Sequence, residues 1–236
     1  MEIITDGFSW LTDPANWSGS NGVPIRVWEH LQLSLIALTI ATVIAVPLGL
    51  AIGHTGRGRF ISVQVANIGR SVPSLAILGL VFLIAVERVP ALAFGSLPTI
   101  VALAALGIPV ILINTYVGID QVDRETVEAA RGMGMSGMQV LRRLEVPLAT
   151  PLIMTGLRLA AVQIVATAGL AALIAGGGLG RYVIDGFYQR ENDRMVAGAI
   201  LIAAISVLTD LVFTLLARLA APRLTSGSKG SGKIPA

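Results

Sequence analysis

Long stretches without charged residues alternate with short polar segments along most of the chain. A helix that crosses the hydrocarbon core of a bilayer needs about 20 mainly apolar residues, because its backbone polar groups must be satisfied within the segment itself. Five stretches meet this requirement, with at most one ionisable residue in each: Leu31–Gly53, Phe60–Val86, Val89–Ile119, Pro151–Ala175 and Met195–Ala217. The pattern predicts an all-α integral membrane fold with about five transmembrane helices.

The second stretch contains a potential break, RSVPS, at residues 70–74. Pro73 has no amide hydrogen and restricts the backbone of Val72, so the stretch could divide into two shorter helices. Five and six spans therefore remain alternatives at this stage.

The distribution of Lys and Arg predicts the orientation, because positively charged loops tend to stay in the cytoplasm. With five spans and an external amino terminus, ten basic residues fall on the inner side and five on the outer side. This orientation predicts an extracytoplasmic segment (1–30), a transmembrane domain (31–217) that includes a cytoplasmic loop (120–150), and a flexible basic cytoplasmic tail (218–236). A sixth span would reverse the amino-terminal part.

Composition supports the membrane assignment. Of the 236 residues 54% are hydrophobic and 13% charged, and the mean hydropathy is +0.79, so membrane lipid is the expected surroundings of most of the chain. The absence of cysteine excludes disulfides and thiol catalysis, and two histidines are too few for a convincing histidine metal site. The net charge of +3, with scattered basic residues, gives no support to nucleic-acid binding.

Nucleotide binding is not expected in this chain. Gly227, Gly232 and Lys233 match the first part of a phosphate-binding loop, but Ile234 follows in place of Ser or Thr. No strand or helix is predicted around them to align the loop. We therefore expect no catalytic residues, metal or cofactor in this chain.

One polar segment, EAARGMGMSGMQVLRRLEVP at residues 128–147, interrupts the apolar pattern. Its signals predict two short helices that meet at a bend. The first is capped by Asp123, with Glu125 in its first turn, and ends at Gly132 and Gly134. The second helix is predicted to start at Ser136, which has capping-box spacing with Gln139, and to stop at Pro147.

The second short helix is amphipathic. Met138, Leu141 and Leu144 lie on one side, with two arginines, 142 and 143, on another. Such a helix is suited to docking in a groove of a partner, although solvated amphipathic loops are common as well. The residues alone leave both interpretations open.

The same segment resembles the EAA loop of the membrane subunits of bacterial ABC importers, the binding-protein-dependent transport family. The motif residues stand at every expected spacing: Glu128, Ala129, Ala130, Gly134, Leu144 and Pro147. The resemblance implies the type I importer architecture, in the bacterial cytoplasmic (inner) membrane. It also implies that the loop forms coupling helices, which lie in a cleft of the ATP-hydrolysing subunit.

Four further segments of the sequence are similar to segments of the permeases of glycine betaine, carnitine and choline importers, the osmoprotectant class. They are NTYVGIDQVDRETVEAARGMGMS (114–136), RSVPSLAILGL (70–80), VPLATPLIMTGLR (146–158) and LAALIAGGGLG (170–180). The resemblance implies a complex with two ABC ATPase subunits, a second permease copy or paralogue, and an extracytoplasmic substrate-binding protein. The role of residues 1–30 is not implied by it.

Polar residues within the apolar stretches are candidates for the translocation path, because polar groups in lipid are costly. The candidates are Arg70, Ser71, Ser74, Asn114, Tyr116 and Gln163, together with Pro73 at the helix break. The uncharged Ser74, Asn114 and Gln163 either line the path or form hydrogen bonds between helices. Arg70 either faces a water-filled pathway or satisfies free carbonyls at the helix break. Arg158 and Asp210 are expected to reach the membrane surface or to form ion pairs.

Glycines predict two further features. Gly49 and Gly53 have the small-xxx-small spacing of closely packed membrane helices. The cluster at residues 176–180 predicts a tight turn with positive φ at the outer membrane face.

Aromatic residues are few and dispersed between residues 31 and 217. Recognition of a quaternary ammonium favours a cage of aromatic rings, so we expect a separate binding protein to select the solute. Two rivals remain: a permease of the same architecture for another solute, such as methionine or an alkyl sulfonate, and an ion-driven transporter with Asp210 as proton carrier. A channel is less favoured, because no filter sequence is evident.

Overall fold

The computed structural model describes residues 2–174 and 176–220, without the side chains at positions 2, 3, 61, 65, 66, 68 and 70. These residues form helices and connecting turns, with no strand among them. The α-helices are α1 (Glu2–Thr12), α2 (Val23–Thr55), α3 (Arg59–Ser71), α4 (Ser74–Arg88), α5 (Pro90–Ala93), α6 (Leu97–Asp120), α7 (Arg124–Gly132), α8 (Gly137–Val140), α9 (Val146–Ala168), α10 (Gly180–Gln189) and α11 (Asn192–Ala220). The predicted all-α membrane fold is confirmed.

Four helices in the described residues are long and apolar enough to cross a membrane alone. They are α2, α6, α11 and a continuous helix, Gly137–Ile174, which contains α8, α9 and the turns that adjoin them. The remaining predicted span divides at residues 72 and 73 into α3 and α4, as the proline there allows.

Helices α3 and α4 together cover the same thickness as α6. At one end, Arg59 at the start of α3 lies 4.0 Å from Asp120 at the end of α6. At the other end, Leu78 of α4 is buried against Ala102, near the start of α6, and against Ile174. The broken pair therefore makes one crossing, and with the four long helices the described part of the chain crosses five times.

Several predicted boundaries differ from those in the structure. Helix α2 begins eight residues before Leu31, at Val23. The charges in this added part are compensated, because Arg26 and Glu29 form a 2.8 Å ion pair one turn apart. The predicted third span is shorter than expected, since α6 begins only at Leu97.

The centre of the fold is a close packing of α2, α6 and α9. Small residues of α2, such as Ala37 and Ala41, are completely buried against larger ones on the neighbouring helices, including Leu103 and Ile164. One close approach is at Gly49, where an added methyl carbon would lie 2.7 Å from Thr115 Cβ. At Gly53 the same carbon would lie 2.5 Å from Ile119 Cβ. The predicted small-xxx-small packing is confirmed.

Arg158 and Asp210 form an ion pair, which is one of the two arrangements that the sequence predicted for them. The Arg158 guanidinium on α9 donates from Nε to Oδ1 of Asp210 over 2.6 Å and from a terminal nitrogen to Oδ2 over 2.8 Å. This two-point contact joins α9 to α11. It also gives each charged group a partner within the protein, as ionisable residues within a membrane require.

The glycine-rich turn after α9 also takes its predicted form. Gly178 has a φ of +81°, which favours glycine. Its N–H donates to the Glu29 carboxylate over 2.8 Å, so the turn is tied to the beginning of α2.

Two short helices, α1 and α10, were absent from the predicted spans. They pack near the first turns of α11: Gly7 of α1 lies against Val196, and Trp10 contacts Tyr182 of α10 edge-to-face at 5.1 Å. Each is too short to give a membrane-spanning signal, being 11 and 10 residues long.

We predict that Gly49→Ala destabilises the protein by about 1–3 kcal/mol, because the new methyl group overpacks the contact with Thr115 and with the Leu112 carbonyl. The measurement is the midpoint of heat denaturation in detergent. Gly79→Ala in α4 is the matched control, since no atom lies within 4 Å of its new methyl group; its midpoint should stay or rise. Equal midpoints for the two variants would show that the α2–α6 contact is not close.

Candidate coupling loop and translocation pathway

The first helix of the polar loop, α7, begins at the predicted cap. The Asp123 carboxylate accepts hydrogen bonds from the Thr126 backbone N–H over 3.0 Å and from the Thr126 hydroxyl over 2.7 Å. These bonds stabilise the ionised form and hold the pKa of Asp123 below its usual value. Glu125 lies in the first turn and Arg131 in the last, as the helix dipole favours.

The bend after α7 depends on a glycine. The helix ends at Gly132, and Gly134 then adopts a φ of +86°. In this conformation the Gly134 N–H donates to the Arg131 carbonyl over 2.9 Å. Other L-residues adopt it only at a cost, so the motif glycine determines the direction in which the chain leaves α7.

The second short helix starts as predicted but does not stop where predicted. Ser136 and Gln139 form the capping box, in which the Ser136 N–H donates to Gln139 Oε1 over 2.8 Å. From there the chain remains helical through α8, a π turn (Leu141–Glu145) and α9. The expectation that Pro147 ends the helix is wrong.

The π turn explains why Pro147 is tolerated. A proline inside a regular helix removes one hydrogen bond and its ring clashes with the carbonyl four residues earlier. Here the hydrogen bonds shift to a wider spacing, with the Val146 N–H bonded to the Leu141 carbonyl. The proline then occupies the first turn of α9, where a missing N–H is tolerated.

The loop has a buried side and an exposed apolar tip. Ala130 and Val140 face the rest of the chain and are 4% and 0% exposed, and the motif residues Leu144 and Pro147 are half-buried. Met133 and Met138 are 78% and 55% exposed. Three motif residues, Glu128, Ala129 and Gly134, are also exposed. Arg142 and Arg143 are exposed nearby.

An exposed tip of methionines beside arginines fits a partner groove, because methionine adapts to irregular apolar surfaces and arginine suits an acidic rim. Leu141 and Leu144, which share the predicted apolar face with Met138, are partly covered within the chain. The contact surface is therefore smaller than the sequence indicated.

A cavity of about 280 Å³ lies between α7 and the inner ends of α2 and α6. Glu128 and Arg131 of α7 line one side of it, and residues 53–56 of α2 line another. The helix is thus not packed directly on the body of the protein along this side, and it has room to shift.

One contact in this region was missed by the sequence reasoning. Glu145, the last residue of the π turn, is buried beside His54 at the end of α2, with 2.6 Å between Oε2 and Nδ1. The sequence signal was a charged residue directly before an apolar span. Its partner could not be identified because the two are 91 positions apart.

A second cavity, of about 390 Å³, lies at the break between α3 and α4. Three predicted path residues line it: Pro73, Ser74 and Gln163. The remaining lining is contributed by Gly69, Val72, Leu106, Pro109 and Val110. Among the described residues the lining carries no charge, and it mixes hydroxyl and amide groups with apolar surface.

The other predicted path residues do not line this cavity. Ser71 donates to the Asn67 carbonyl over 2.8 Å, and Asn114 donates to the Val110 carbonyl over 2.8 Å, each within its own helix. Tyr116 is 3% exposed. The side chain of Arg70 is outside the described part of the structure, so its predicted role in the pathway stays a prediction.

Relatives of known type resemble the chain over most of its length. It is 36% identical over 204 residues to the glycine betaine/carnitine/choline transport system permease protein OpuCB of Bacillus subtilis (strain 168), covering 86% of this chain and 91% of that protein. It is 31% identical over 196 residues to the osmoprotectant import permease protein OsmY of Salmonella typhimurium (strain LT2), covering 82% and 80%.

Solved structures show the same fold. A chain of the MetNI methionine ABC transporter, in an inward-facing conformation, matches with a TM-score of 0.73 at 22% identity, over 85% of this chain and 96% of that one. The family model described as "Binding-protein-dependent transport system inner membrane component" matches residues 27–226. This chain therefore belongs to the family of inner membrane components of binding-protein-dependent transport systems.

Proposed function

We propose that this chain is the permease subunit of an ATP-driven importer for quaternary-ammonium osmoprotectants, such as glycine betaine, carnitine and choline. The observation that carries the proposal is the single helix Gly137–Ile174. It begins in the exposed coupling loop and contains Gln163, which lines the central cavity. One rigid element thus connects the surface available to an ATPase with the surface available to a solute.

In the proposed cycle, ATP binding closes a pair of ATPase subunits around the coupling loops. The bend at Gly134 orients α8, and movement of α8 passes through the π turn into α9. Helix α9 packs closely on α6, where Gly156 contacts Asn114, so the two helices shift together. The lining of the cavity changes as a result, and the pathway switches from inward to outward access.

The character of the cavity supports a low-affinity passage for a solute that is selected elsewhere. Its lining in the described residues has neither a charge nor an aromatic ring, and a tight quaternary-ammonium site would call for such rings. A separate extracytoplasmic binding protein would supply the selectivity. The names of the relatives support betaine, carnitine or choline as the solute class.

The proposed complex contains two ABC ATPase subunits, this permease with a second copy or a paralogue, and the binding protein. ATP and magnesium would be bound by the ATPase subunits, and this chain would have no catalytic role. Residues 1–30 would lie on the extracytoplasmic side and the coupling loop on the cytoplasmic side, at opposite ends of the crossings.

A proton-driven transporter is less well supported. A proton carrier needs a carboxylate that can bind and release a proton during transport. Both carboxylate oxygens of Asp210 instead accept hydrogen bonds from the Arg158 guanidinium, so the group is held in a fixed contact between two helices. A permease for another solute, such as methionine, has only the fold in its favour, since the MetNI match is at 22% identity.

The test is ATP-dependent uptake of radiolabelled glycine betaine into vesicles that contain this chain with its neighbouring ATPase and binding protein. We expect uptake that requires all three components and that is lost in a Glu128→Ala, Gly134→Asp variant. Lack of uptake of betaine, choline and carnitine by an assembled complex would reject the solute class. Uptake without the ATPase would reject the importer.

Substitution at the bend should impair coupling specifically. Gly134→Ala forces a methyl-bearing residue into a left-handed conformation at a cost of about 1–2 kcal/mol, so we predict a several-fold loss of uptake with normal membrane insertion. Gly132→Ala is the matched control, because both positions have free space around the new methyl group and only Gly134 has a positive φ. Comparable uptake by the two variants would contradict the role of the bend.

Lining of the cavity can be tested by cysteine labelling, since the chain has no native cysteine. We predict that Ser74→Cys reacts with a trimethylammonium-bearing thiosulfonate from water, and that labelling then blocks uptake. Thr115→Cys, at a position that is completely buried, should remain unlabelled. If Ser74→Cys is inert, or if its labelling leaves uptake intact, the cavity is not on the pathway.

A further inference from the structure

Glu145, near the carboxyl end of the coupling loop, is the one buried carboxylate among the described residues. It belongs to the π turn that joins the loop to α9, and it is 5% exposed. A buried carboxylate is costly unless a hydrogen-bonding partner compensates for the lost water. His54 provides this partner: its Nδ1 donates to Glu145 Oε2 over 2.6 Å.

The two nitrogens of the His54 ring both lie beside the loop. While Nδ1 faces the π turn, Nε2 lies next to the start of α8, where a methyl group added to Gly137 would be 3.4 Å away. The imidazole thus lies between the beginning of α8 and the end of the π turn, and it is contributed by the last turn of α2.

This pair is the one polar side-chain link between α2 and the coupling loop in the described residues. The helix α7 is separated from the end of α2 by the 280 Å³ cavity, and the pair lies at the wall of that cavity. Any force between the loop and α2 that acts through a directional contact must therefore pass through His54 and Glu145.

We propose that the His54–Glu145 pair is a positioning device that fixes the coupling loop to α2, so that movement of the loop reaches α2 as well as α9. The proposal rests on the coupling function proposed above. Helix α2 is packed tightly on α6 at Gly49 and Gly53, so the pair brings the α2–α6 part of the core into the motion.

A short polar contact suits this role better than an apolar one. A hydrogen bond with one donor and one acceptor has a defined direction and distance, whereas apolar contacts permit sliding. The π turn places Glu145 at the boundary between loop and span, and such turns are frequent at functional sites.

The first measurement is the number of solute molecules taken up per ATP hydrolysed, in vesicles with the complete transporter. His54→Leu keeps bulk but removes the donor, and we expect this ratio to fall by about 5- to 150-fold while ATP hydrolysis continues. His54→Asn places an amide donor near the position of Nδ1 and should restore most of the ratio. A wild-type ratio in His54→Leu, or equal losses in both variants, would overturn the proposal.

A double variant separates positioning from simple stability. Replacing both partners of a buried pair with apolar residues often restores stability. We therefore expect the double variant, His54→Leu with Glu145→Leu, to regain the heat-denaturation midpoint of the unmodified protein. Its ratio of solute uptake to ATP hydrolysis should stay low. Recovery of both would show that the pair only stabilises the fold.

A distance measurement tests the positioning role independently of the proposed solute, because it needs no transport. Spin labels at Thr55→Cys and Arg142→Cys, both exposed positions, report the spacing between α2 and the loop. We expect one narrow distance with and without ATP in the complex, and a broad or nucleotide-dependent one after His54→Leu. Unchanged narrow distances after His54→Leu would reject the positioning role, even where betaine uptake is observed.

Discussion

The continuity of one helix, from Gly137 in the candidate coupling loop to Ile174 at the other end of the fold, determines how the loop and the central cavity are connected. This continuity depends on the π turn (Leu141–Glu145), which shifts the backbone hydrogen bonds and so accommodates Pro147. A helix that ended at the proline would leave a flexible joint between loop and span. In the proposed cycle the unbroken helix would carry a displacement of its first turn along its length to Gln163.

The membrane imposes the second constraint, that ionisable groups within the spans be satisfied by the protein. Each such contact also joins two parts of the fold: Arg158 with Asp210 joins α9 to α11, and His54 with Glu145 joins α2 to the loop. Close packing at glycines holds α2 against α6. The polar pairs and the tight glycine contacts together connect the crossings into one body around the cavity.

The long apolar spans, the break at Pro73 and the caps at Asp123 and Ser136 were predictable, because hydrophobic runs, proline geometry and capping are local properties of the sequence. The choice between five and six crossings was not, since it depends on how α3 and α4 pack against α6. The motif glycine at the bend was predictable for the same reason. The helix through Pro147 was not, since tolerance of the proline depends on a π turn. Nor were the His54–Glu145 contact and the packing of α1, which join residues far apart in the chain. Asn114 appeared suited to the pathway by polarity alone, but its amide bonds within its own helix.

The central claim is that the exposed tip of the loop contacts the ATPase subunit. Its most direct test is cross-linking from Met138→Cys in this otherwise cysteine-free chain, with Phe187→Cys as the matched control. Both side chains are well exposed, at 55% and 67%, but Phe187 lies on α10, beyond the opposite end of the long helix. The account predicts a cross-link to the ATPase from position 138 and none from position 187. A complex that hydrolyses ATP and transports solute, yet gives no cross-link from 138 or an equal one from 187, would contradict it.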